Sequence, residues 1–117
     1  MEFEKVDAGM VLVKTTPEEL KMLAAAVISC RDFDYALARM DPEEMTALSL
    51  RLMNAEQDSW VFHEEEISCL YSIVNMCCGG MSHKTFTLLS PVPYEREELD
   101  ALFEEIRKVH KLMCEHR

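Results

Sequence analysis

Apolar residues recur at helical spacing in four stretches of the chain. Each stretch opens on the same phrase: two glutamates, an apolar residue, two variable positions and a leucine. The phrase runs Glu18-Glu19-Leu20-Lys21-Met22-Leu23 and then Glu43-Glu44-Met45-Thr46-Ala47-Leu48, and it returns over Glu65 to Leu70 and Glu97 to Leu102. Carboxylates in a first turn oppose the positive end of the helix dipole, and an apolar pair three apart begins a buried stripe. Four helices are therefore predicted. Their phrases start 25, 22 and 32 residues apart, too irregular for a solenoid, so shared capping chemistry explains them better than internal duplication.

Two starts carry stronger signals. Thr16-Pro17-Glu18-Glu19 and Asp41-Pro42-Glu43-Glu44 each offer a side-chain cap, proline at the first helical position and glutamate at the third, the pattern of a capping box. Helices from Pro17 and Pro42 follow. The spacing admits either a first helix that ends near Cys30 or one that continues through Phe33, Ala36, Leu37 and Met40. The third helix is expected to begin between Trp60 and Glu64 and to stop at Cys78, where Gly79-Gly80 ends it. Its apolar positions spread over several sides, which suits a central helix. The fourth, from about Tyr94, sets Leu99, Leu102, Phe103, Ile106, Val109 and Met113 against Asp100, Glu104, Arg107, Lys108 and Lys111. Glu104 and Lys108 stand at the favourable four-residue spacing.

Residues 10–14 (Met-Val-Leu-Val-Lys) and 84–89 (Lys-Thr-Phe-Thr-Leu-Leu) are instead rich in β-formers. Paired, they would make a two-stranded ribbon against the helices. The expected fold is thus mainly α: one domain over 1–117 with a four-helix bundle-like core, to which the ribbon of 10–14 with 84–89 is an optional addition.

Composition narrows the class. The 117 residues are 49% hydrophobic, with three Gly and four Pro, so the chain can bury roughly two-thirds of its unfolded surface in one core. Disorder and a turn-rich β-sandwich are disfavoured. A net charge of −10 opposes direct binding to nucleic acid or to an anionic membrane surface. No window approaches the roughly 20 apolar residues of a membrane span, and the start Met1-Glu2-Phe3-Glu4-Lys5 carries acid where a secretory signal carries base. The expected compartment is the cytoplasm. An odd set of five cysteines (Cys30, Cys69, Cys77, Cys78, Cys114) fits reduced, mostly core-filling thiols rather than a disulfide framework. Met22, Met45, Met53, Met76 and Met113 also read as core.

Catalytic phrases are missing. Three glycines cannot build a phosphate loop, and neither a nucleophile elbow nor His-Glu-x-x-His occurs. His110 and Cys114 would share a helix face, with His116 beyond them, and Cys77, Cys78 and His83 cluster in sequence. Neither group supplies the four ligands of a zinc site. No catalytic residue, metal or cofactor is assigned.

Charge distribution says more. Residues 41–70 hold eight acids and one base, while 71–92 hold no acid. Within the acidic segment, Glu56, Asp58, Trp60, Phe62, His63, Glu64, Glu65 and Glu66 interleave carboxylates with two large aromatics between helices two and three. Such a corner suits docking of a basic protein partner, the carboxylates steering and the aromatics anchoring. The plainer alternative has Trp60 and Phe62 stapling the hairpin to the core while the acids are merely solvated. The favoured function is a non-enzymatic interaction or regulatory domain, with room for a homodimer through an apolar helix face. The runner-up is an acidic decoy that imitates nucleic acid in the basic channel of a nuclease or DNA-binding protein. A small metal- or thiol-dependent protein comes third.

Overall fold

The computed structural model describes residues 1–34, 39–78 and 94–116, the side chains of Phe33, Asp34 and Cys78 excepted. In chain order its elements are β1 (Glu2–Asp7), β2 (Met10–Lys14), α1 (Pro17–Asp34), α2 (Pro42–Met53), β3 (Ser59–His63), α3 (Glu64–Cys78) and α4 (Arg96–Glu115). Among the described residues, four helices and a three-stranded antiparallel sheet in the order β1-β2-β3 make a mainly helical architecture.

The first two strands are joined through Ala8 (φ 53°) and Gly9 (φ 79°), with Asp7 opposite Met10. Two consecutive left-handed residues are the turn that matches the right-handed twist of a two-residue hairpin. Glycine takes that backbone cheaply, whereas alanine gives up about 1 kcal/mol or more. Ala8→Asn, which creates the favoured Asn-Gly pair, is expected to stabilise the fold by about 1 kcal/mol. A higher urea midpoint at unchanged slope would show it, and an unchanged midpoint would contradict it.

β2 is the central strand, so its partners differ from those expected. It pairs with β1 on one side and β3 on the other, Val11 opposite Phe62 and Val13 opposite Trp60. Both its edges are thereby taken by β1 and β3; the segment 84–89, its expected partner, lies outside the described residues. Alternation puts Val11, Val13 and Phe62 on the core side, all fully buried. In β1, Phe3 and Val6 would fall on opposite faces of a regular strand, being three apart. The register shift between Phe3 and Lys5 inserts Glu4 as a bulge, and both apolar residues pack against the core.

The helices begin where the glutamate phrases place them. At α1 the capping box is complete: Glu19 N–H donates to Thr16 Oγ1 and Thr16 N–H to Glu19 Oε1, each at 3.2 Å. At α2 it is not. Asp41 stands at the N-cap without a side-chain cap bond, and the neighbouring Asp41 carboxyl pushes the titration of Glu44 up. α1 extends past Cys30 to Asp34, while Met40, one of the residues that would have continued it, lies in a bend outside any helix.

α1 packs against all three other helices, and α3 against α1 and α4. The central place is therefore shared by α1, whose Leu20, Leu23, Ala24, Ala26, Val27 and Cys30 are buried. Ser49 of α2 is buried against it and donates to the Ala24 carbonyl at 3.4 Å. The α4 stripe is buried as read, with Phe103 half-buried. On the outer side of α4, Glu104 pairs with Arg107 at 2.9 Å rather than with Lys108. Met45 and Met113 are core residues, Met22 and Met76 half-buried, and Met53 is exposed because it closes the last turn of α2.

Candidate functional site

The segment expected to act as one docking corner is split by its own secondary structure. β3 alternates, so Trp60 and Phe62 share the inner face, their rings 6.5 Å apart and tilted by 53°. Phe62 is sealed and Trp60 half-buried. Phe62 therefore cannot anchor a partner, which is the stapling alternative realised for that residue. Val61 and His63 point the other way, and Val61 is 50% exposed.

The carboxylates divide as well. Glu56 and Asp58 are exposed in the α2–β3 connection, and the Asp58 carbonyl accepts the Thr15 N–H at 2.9 Å. Glu64 is half-buried, its N–H donating to the Gly9 carbonyl at 3.0 Å. Glu65 is exposed. Glu66 has structural work: Oε1 accepts the His63 N–H at 2.8 Å, capping α3, and Oε2 meets Arg51 of α2 at 3.1 Å. A pair with Arg51 this exposed contributes at most about 1 kcal/mol.

Between α2 and α3 lies a cleft of about 320 Å³ that the residue spacing did not reveal. Glu44, Glu65 and Glu66 line it together with Arg39, Arg51, His63 and Cys69. Only the packing of both α2 and α3 on α1 brings Glu44 and Glu65, some twenty residues apart in the chain, to one cleft. The Glu44 carboxyl titrates above its ordinary range, first through its hydrogen bond to Asp41 and the charge of Asp41, and also through Glu65. Anionic charge is thus crowded at this rim despite the two arginines. Burial pushes the Cys69 thiol up, Glu65 adds to the effect, and Arg39 opposes it. A thiol held protonated is a poor nucleophile.

The second expected cluster sits on α4. Cys114 Sγ lies 4.0 Å from His110 Nε2, and the His110 ring stacks on Tyr71 with centroids 4.8 Å apart. Arg107, Lys108 and Lys111 surround a wide cleft there of about 670 Å³. Among the described residues no three His, Cys, Asp or Glu side chains gather as a metal set; the Cys78 side chain and His83 lie outside them. Cys30 and Cys77 are buried, whereas Cys69 is half-exposed and Cys114 exposed, so the last is not core filler. No helix among the described residues is long and apolar enough to cross a membrane. The chain matches no family model, no curated protein and no solved structure.

Proposed function

We propose that this chain is a non-enzymatic interaction domain whose four-helix bundle-like scaffold presents the α2–β3–α3 corner to a basic protein partner. One observation supports this reading above the others. The large hydrophobic side chains exposed among the described residues are Leu50 (56%), Met53 (48%) and Val61 (50%). All three fall within residues 50–61, inside the segment that carries Asp41, Glu43, Glu44, Glu56, Asp58, Glu64, Glu65 and Glu66. Single exposed hydrophobics are unremarkable, but apolar contacts set among charges are the composition of a docking surface, where carboxylates steer the encounter and desolvated side chains hold it. Aliphatic anchors with half-buried Trp60 thus take the part first given to Phe62. A nucleic-acid decoy would draw on the acids alone and make no use of the aliphatic side chains.

Carbodiimide cross-linking of captured complexes tests the reading, because the reagent joins carboxylates directly to lysine amines. Cross-links from partner lysines are expected at Glu56, Asp58 and Glu65. A Leu50→Ser, Met53→Ser, Val61→Ser variant should lose affinity about tenfold or more while remaining folded. Cross-links confined to α4, or affinity indifferent to the three aliphatic substitutions, would overturn it.

A further inference from the structure

The two edges of the sheet are built differently. β1, one edge, carries Glu2, Glu4, Lys5 and Asp7 at exposed positions and a bulge between Phe3 and Lys5. Charges and bulges are the devices by which proteins prevent further strands from adding to an edge. β3, the other edge among the described residues, has none of them. Its sequence Ser-Trp-Val-Phe-His runs against β2 in unbroken register, without proline, lysine or carboxylate, and with Val61 exposed at its middle.

Hydrogen-bond parity shows which backbone groups that edge offers. At the ends of the β2–β3 ladder, Thr15 N–H donates to the Asp58 carbonyl and Glu64 N–H to the Gly9 carbonyl. In an antiparallel pair the bonded positions alternate, so Asp58, Trp60, Phe62 and Glu64 turn their backbone toward β2. Ser59, Val61 and His63 turn theirs away. The His63 N–H is already accepted by Glu66, in agreement with this parity. Ser59 and Val61 therefore present N–H and carbonyl groups, and His63 a carbonyl, along an edge that no strand among the described residues pairs with and that runs at His63 into the cleft between α2 and α3.

We infer that the basic partner docks as an extended strand added to the open edge of β3, an inference that rests on the interaction reading above and specifies its mode. Charge selects the occupant. Glu56 and Asp58 flank the start of the edge, and Glu65 with Glu44 flanks its end at the cleft, so an added strand bearing lysine or arginine meets carboxylates at both ends. A second copy of this chain does not fit. Antiparallel pairing centred on Val61 would set Asp58 of each copy toward Glu64 of the other, and parallel pairing would set each acid beside itself, between two molecules of charge −10.

The probe is a peptide of alternating lysine and valine, about ten residues long, compared with an equally charged peptide of alternating lysine and proline that cannot form a strand. The first is expected to bind about tenfold or more tightly than the second and to slow hydrogen exchange at the Ser59 and Val61 amides, leaving Trp60 and Phe62 unchanged. Val61→Pro removes the outward N–H without touching the β2 ladder and should lower affinity about tenfold relative to Val61→Ala, which keeps the N–H. If Val61→Pro does not fold, the two peptides on the unaltered protein still decide. Equal binding of both peptides, with loss on Glu56→Gln, Asp58→Asn and Glu65→Gln together, would overturn strand addition and leave the acidic corner standing. Binding indifferent to those three neutralising substitutions as well would overturn both.

Discussion

Phe62→Ala is expected to lower the unfolding free energy by about 3–5 kcal/mol, the range for removing a large aromatic from a packed interior. The phenyl ring has no exposed surface and lies opposite Val11 on the inner face of the sheet, beside Trp60. It is the largest fully buried side chain of β3. Its removal leaves a hole bounded by a rigid sheet on one side, which resists collapse. Trp60, half-buried and 6.5 Å away, is the neighbour best placed to lean into the space, and to the extent that it does the cost falls toward the lower figure. Against a typical stability of about 5–15 kcal/mol, the loss would be plain in a urea titration as a large drop in midpoint. Val61→Ala, one position away on the outer face, should cost under about 0.5 kcal/mol. A Phe62→Ala loss under about 1 kcal/mol, or equal losses at the two positions, would show that β3 does not alternate as described.

That alternation is present in the residues themselves. Trp60-Val61-Phe62 places two aromatics two apart around a β-branched residue, a strand signal, but the carboxylates on either side made the segment resemble the approach to a helix. β1 was hidden for a different reason. Four of its six residues are charged, and the bulge at Glu4 breaks the period by which Phe3 and Val6 would have declared a common face. The helices were legible because their signals are local: a glutamate pair before an apolar stripe needs no distant partner. β2 was legible as a strand for the same reason, yet its partners were not, since pairing is a long-range fact. The candidate site divides along the same line. Its acids are adjacent in sequence and visible there, whereas the cleft shared by Glu44 and Glu65 exists only once α2 and α3 are both packed on α1.

Ile106→Ala is expected to cost about 2–5 kcal/mol, and its wider effects should show what α4 contributes to the fold. Ile106 is fully buried at the middle of the stripe that runs from Leu99 to Met113. Through that stripe α4 packs on α3, and it also contacts α1 and β1. At its C-terminal end the His116 ring stacks on Phe3 of β1, centroids 5.5 Å apart, and further along the helix Glu105 reaches the Met1 ammonium at 3.3 Å. These polar contacts are few, and the partly buried Met1 ammonium is shared with Glu19 of α1 at 2.8 Å, so it does not tie β1 to α4 alone. The buried stripe is expected to supply most of what holds β1 to α4. Loosening it should release the edge strand before the rest of the fold. Hydrogen exchange on Ile106→Ala should accordingly speed up in β1 as well as in α4, with β3 and the first turns of α3 less affected. Lys108→Ala, on the exposed side of the same helix, should stay within about 0.5 kcal/mol of the unaltered protein and leave the β1 amides unchanged. If Ile106→Ala instead destabilised every element equally, α4 and the sheet would form one cooperative unit. If β1 kept its protection while α4 lost its own, β1 would be held by β2 alone.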